Sequence, residues 1–163
     1  MHTSINQMIG VVLLATAVAP LGGRNVGAQQ GADVPAVTAA NRAFYEAVSA
    51  RDLTRMDALW AHEPYVRAIH PTSQHVHVGW EAVRASWQDL FTAFPEIAGA
   101  MPDPQVRVGD KIAWVTGEER FRGRRNSGEE VSVTLLGTSV FESSGDGWLM
   151  VHHHVSVPLR PRQ

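Results

Sequence analysis

The chain has 163 residues, 44% of them hydrophobic and 18% charged, with a formal net charge of −2. Those figures suit a folded domain with a real core and exclude disordered and fibrous classes. The absence of a broad basic stripe excludes nucleic acid as the expected partner. The absence of cysteine excludes disulfides, thiolate nucleophiles and Cys-ligated metal.

Residues 1–28 read as a secretory signal. An apolar run from Met8 to Leu21 is followed by the small residues "VGA", which place a cut after Ala28. The run is shorter than the roughly 20 residues a membrane helix needs, although "MHTSINQ" lacks the usual basic residue. The expectation is an exported protein, periplasmic or secreted, with no stable membrane span after cleavage. Residues 29–33 would then form a short linker, 34–158 the domain and 159–163 a tail.

Val37, Ala40, Phe44 and Val48 recur at helical spacing, so a first helix is predicted over about 34–50. Asp52 can cap a second helix carrying Leu53, Met56, Leu59 and Trp60 inward. "YVRAIHP" reads as a short strand, stopped by Pro71. A third helix is predicted from Trp80 to Phe94, with Val83, Trp87, Leu90 and Phe94 on one stripe. "AGAMPDP" reads as a connector.

Beyond it the period changes from 3.6 to 2. "QVRV", "KIAWVTGEERFRG", "EEVSVTLLGTSVFES" and "WLMVHHHVSVP" form a meander of long strands, bent at Gly117 and Gly137. The basic cluster "RFRGRR" reads as a solvated hairpin end. Three helices followed by curved strands make an α+β layout whose hollow suits a ligand.

In order and spacing, "NRAFYEAVSARDLTRMDALWA", "IHP" before "GWEAVRASWQDLF", "VGDKIAWVTGEERF" and "GWLMVHHHVSVP" resemble the SnoaL-like group of the NTF2-like (ketosteroid isomerase-like) superfamily. The resemblance spans about 34–158. It implies a cone-shaped fold, with three N-terminal helices packed on a strongly curved, mostly antiparallel sheet, often dimeric through the outer sheet face. It does not imply one activity, because relatives include isomerases, dehydratases, cyclases and non-catalytic modules. The isomerases' acid and tyrosine set finds no match in Tyr45 or Tyr65.

The subgroup's "IHP" and terminal "HHHVS" direct attention to histidine. Strict alternation puts His152 and His154 on one strand face with Trp148, Met150 and Ser156. His153 would then share the opposite face with Leu149, Val151, Val155 and Val157, apolar enough to bury in a homodimer. The candidate catalytic residues are therefore His70, His152 and His154, near their natural pKa for acid–base work. Trp60, Trp87, Trp114 and Glu118 are the expected pocket lining, one of Glu118 and Glu119 having to face inward.

Three histidines with an open position would suit zinc, but H-x-H plus one remote histidine lacks a placed carboxylate. No metal and no cofactor are assigned. His62, His75 and His77 read as exposed. No G-x-S-x-G elbow occurs. The sequence thus points to an exported pocket protein for a small apolar or aromatic molecule, of the lyase, isomerase or cyclase kind. The alternatives are a non-catalytic binding or assembly module and a His-ligated metal protein.

Overall fold

A computed structural model describes residues 26–145 and 147–159, with side chains from residue 33 onward. The expected signal therefore lies almost wholly outside the described residues. Helix α1 (Val26–Ala50) begins upstream of the expected start and carries Pro35 within it. It ends where Arg51 takes a left-handed conformation (φ 55°). There Asp52 N–H donates to the Ala47 carbonyl and Arg51 N–H to that of Val48, both at 3.0 Å. This closes the helix in a Schellman arrangement, with arginine where glycine is usual. Asp52 then caps α2 (Leu53–Leu59), accepting the Arg55 N–H at 2.9 Å as its position suggested.

β1 (Arg67–Ile69) and β2 (His77–Val78) form a short antiparallel pair, followed by α3 (Trp80–Ala93). The next strand, β3 (Glu96–Ala100), occupies part of what the sequence suggested was only a connector. β4 (Gln105–Val108), β5 (Ile112–Arg124), β6 (Glu130–Ser143) and β7 (Trp148–Ser156) complete the chain. The strand order is β2-β1-β7-β6-β5-β3, with β4 also on β5. Among the described strands only β1 and β7 pair in parallel, so the sheet is mixed and mostly antiparallel, curved and unclosed.

Two features of this sheet position the site. First, β3 pairs with Arg120–Arg124 of β5 and β4 with Ala113–Thr116 of the same strand. Gly117, Glu118 and Glu119 fall between these ladders, opposite the turn Met101–Pro104. Gly117 also pairs with Gly137 of β6. The Met101 side chain sits over Gly117 so closely that a Cβ there would meet it at 3.0 Å. Glycine lets the thioether lie against the strand there, where any larger residue would have to push it aside.

Second, β7 carries a bulge. Val140 of β6 faces His152, but Phe141 faces Met150, leaving Val151 without a partner. One extra residue reverses the alternation beyond it. Trp148 and Met150 point inward, and so do His153 and Val155; His152 and His154 point outward.

The helices close the inner face over Phe44, Met56, Trp60, Val83, Trp87, Val115, Phe141 and Met150, all essentially buried. Burying a side chain of this size contributes about 1.5–3 kcal/mol, so the aromatic cluster dominates cohesion. Phe44 stands edge-on to both Trp60 (6.4 Å) and Trp87 (5.3 Å). Arg84 of α3 meets Asp57 of α2 at 3.1 Å.

Candidate functional site

The inner side chains of β5 follow the alternation set by Ala113 and Val115, both buried, so Glu119 faces the interior and Glu118 the outer sheet. Glu119 is 7% exposed. Its carboxylate folds over Gly137, where a Cβ would meet Glu119 Cγ and Cδ at 2.8 Å. The missing side chain at Gly137 makes room for the acid.

Tyr45 of α1 donates its hydroxyl hydrogen to Glu119 Oε1 at 2.7 Å. The same oxygen lies 3.6 Å from Nε2 of His153. On its other side the His153 ring places Nδ1 3.1 Å from the buried Ser139 hydroxyl, its register partner on β6. Tyr45, Glu119, His153 and Ser139 thus form one buried polar chain running from helix to sheet. The His153 ring packs on Phe44 (4.7 Å) and Trp87 (5.8 Å).

Burial sets the charge states. Loss of water raises the Glu119 carboxyl to about 7, against which the Tyr45 hydrogen bond pulls down. Burial holds the His153 imidazole well below its usual range, reinforced by His70, His152 and His154. Burial, then the neighbouring Glu119, pushes the Tyr45 phenol up, so it remains a donor. Below about pH 7, and until the pH falls into the lowered His153 range, the chain is neutral throughout, which is how a carboxyl and an imidazole share a dry interior.

His70 lies just past β1 and faces inward. Its Nε2 is 2.9 Å from the Ser86 hydroxyl, its ring stands edge-on to Trp87 at 4.7 Å, and burial lowers it to about 4. His70 and His153 therefore both pack on Trp87. Two sequence expectations change here. His152 and His154 stand on the outer face, their rings 6.4 Å apart, because the Val151 bulge turned them over. Trp114 is 45% exposed on the outer face, and Glu118 lines a shallow outer groove with His154 and Leu136 rather than the interior.

Trp60 and Trp87, expected as pocket lining, are packed in the core. Val151 and Val155 are buried within the fold, so the outer face is not the one the alternation suggested. His75 is exposed, whereas His77 is half-buried 5.4 Å from His70. Among the described residues no group of three or more His, Asp or Glu side chains is disposed to hold a metal ion.

A groove of about 680 Å³ opens onto this chain between α1 and the β3–β4 turn. Asn41 and Tyr45, one helical turn apart, line it with Met101, Pro102 and Pro104, and Arg42 and Glu46 stand on the helix beside them. Tyr45 belongs both to the groove wall and to the buried chain. Sequence reasoning passed over Tyr45 because it lies beside the stripe of Val37, Ala40, Phe44 and Val48. The signal lay in a tyrosine next to a core phenylalanine, a phenol that needs a buried partner.

With this geometry, the model of the SnoaL-like domain matches residues 37–160. The chain belongs to the SnoaL-like family. Its NTF2-like architecture is shared by solved structures. A Streptomyces avermitilis protein, described as an NTF2-like dehydratase on a provisional basis, is 29% identical with a TM-score of 0.72, covering 80% of this chain and 99% of that one. A ketosteroid isomerase-like protein from Erwinia carotovora is 14% identical with a TM-score of 0.66, covering 78% and 98%, and shows the fold alone. Among curated proteins, the F-box protein SKIP8 of Arabidopsis thaliana is 30% identical over 124 residues, 76% of this chain. The SnoaL-like chain spans about half the length of that relative.

Proposed function

We propose that this SnoaL-like protein binds a small apolar molecule in the α1/β3–β4 groove and performs acid–base chemistry on it, as a lyase, isomerase or cyclase. The observation that carries this reading is the Tyr45–Glu119 hydrogen bond, which joins the groove wall to a buried acid poised near neutrality. A general acid or base works best when its pKa lies near the operating pH, and a strongly shifted carboxyl in a cleft is a marker of function. A ligand oxygen in the groove meets the Tyr45 hydroxyl first. The proton passes through that hydroxyl: as a base, ionised Glu119 takes the Tyr45 hydrogen while Tyr45 takes one from the ligand oxygen, and as an acid both transfers reverse, with His153 and Ser139 holding the far side of Glu119. This moves the acid–base role from His70, His152 and His154 to Glu119 and Tyr45, with His153 as a positioning residue.

The test is native mass spectrometry of the purified protein, followed by identification of the bound species and assay of its conversion. Glu119→Gln should retain the ligand and lose turnover. Retained turnover in that variant would remove Glu119 from the chemistry, and absence of conversion by the wild type would return the protein to the non-catalytic alternative, for which the groove alone suffices.

Export and self-assembly belong to the same proposal. The apolar run before Ala28 supports a mature chain starting near Gln29, which the intact mass of the exported product checks. The exposed Trp114 and Leu136 on the outer sheet support a homodimer formed across that face.

A further inference from the structure

Asn41 is 2% exposed, yet its carboxamide is poorly served. Nδ2 reaches only the Met101 thioether at 4.0 Å, and Oδ1 has no partner among the described residues. Thioether sulfur is a weak acceptor, and a buried carbonyl without a donor carries its desolvation penalty in full. Turning the amide over merely exchanges which end lacks a partner. A core position with no further duty would hold leucine. Asn41 instead lines the groove one turn before Tyr45, against walls of Gly99, Met101, Pro102 and Pro104.

We infer that Asn41 is a specificity residue that reads a hydroxyl beside a carbonyl on an otherwise apolar ligand; this rests on the groove being the ligand site. The two ends of one carboxamide offer an acceptor and a donor side by side. Oδ1 takes the hydroxyl hydrogen, and Nδ2, released from Met101, donates to the adjacent carbonyl oxygen. An α-hydroxy ketone presents that pair. A carboxylate does not, because it brings no hydrogen for Oδ1. It would also approach the Glu119 carboxyl, while Arg42, the cation among the described residues lining the groove, already faces Glu46 at 3.6 Å.

The experiment compares 2-hydroxyacetophenone with acetophenone by calorimetric titration of the full purified chain, wild type and Asn41→Leu, with melting curves of both. Wild type should bind the hydroxy ketone about tenfold more tightly, the worth of one net hydrogen bond. Asn41→Leu should bring that ratio to about one while its Tm stays level or rises, since an unpaired amide has been removed. Equal binding of the two ketones by wild type overturns the inference and leaves the groove reading standing. A Tm lowered by several degrees in Asn41→Leu shows a structural amide and overturns it too. Binding of neither ketone overturns both readings together.

Discussion

Glu119 Oε1 stands 3.6 Å from His153 Nε2 with both side chains buried, so below about pH 7, and above the lowered His153 range, the pair is a neutral acid beside a neutral imidazole. The two groups have opposite linkage. The Glu119 pKa is raised in the fold, so the folded state keeps a proton that the unfolded chain loses between about 4.5 and 7. Its contribution to stability is full below 4.5 and is lost as pH rises through 7. His153 and His70 are lowered, so their contribution is full above 6.5 and is lost as pH falls, through about 4 for His70.

Glu119→Gln cannot lose the proton and isolates the first limb. Between pH 5 and pH 8 wild type should lose on the order of 1–3 kcal/mol relative to this variant. Urea unfolding at the two pH values measures it, and a difference that does not change with pH would remove the raised carboxyl from the account.

The bulge predicts an asymmetry among the three consecutive histidines. His153→Ala should cost about 2–4 kcal/mol, because it opens a cavity against Phe44 and Trp87 and strips the buried Ser139 hydroxyl of its partner. His152→Ala and His154→Ala, on the outer face, should each stay within about 0.5 kcal/mol in the monomer. Denaturant midpoints for the three variants test the order; His152→Ala as the most damaging change would contradict it.

Gly137→Ala should displace the Glu119 side chain and cost about 1–3 kcal/mol. In a Glu119→Ala background the obstruction is gone, so the second substitution should be nearly neutral. A double-mutant cycle measures this coupling. Additive losses would mean that Gly137 serves the backbone rather than the acid.

The outer sheet face should mediate self-association. Leu136, 47% exposed, and Trp114 lie on it with His152 and His154. Leu136→Asp should shift a dimer to monomer in light scattering at micromolar concentration while leaving the fold intact by circular dichroism. A wild-type monomer under those conditions would defeat the proposal.

The fold was legible because its signals are periodic and long. The stripe through Phe44 and Val48, the cap at Asp52 and the long alternations of β5 and β6 each recur often enough to fix an element. β3 was hidden, since "EIAGA" is short and glycine-bearing and is a strand only through its pairing with Arg120–Arg124. The site was half legible. His70, Trp60 and Trp87 lie inward, but none of them is in the lining of the α1/β3–β4 groove. The histidine faces were reversed because Val151 looks like any other strand valine, and nothing local announces that it lacks a partner. The choice between Glu118 and Glu119 was readable by counting from Ala113 and Val115, but the exposed Trp114 between them masks that parity.

Insertion of a single residue at Val151 also has a consequence for inheritance. A descendant that lost it would keep the Phe141–Met150 and Val140–His152 pairs, with His152 outward and His153 inward, while every later residue of β7 stood one place earlier in the sequence. Equivalence between relatives in this strand therefore follows spatial superposition, since a gapless alignment would match the core histidine of one protein with a surface histidine of another.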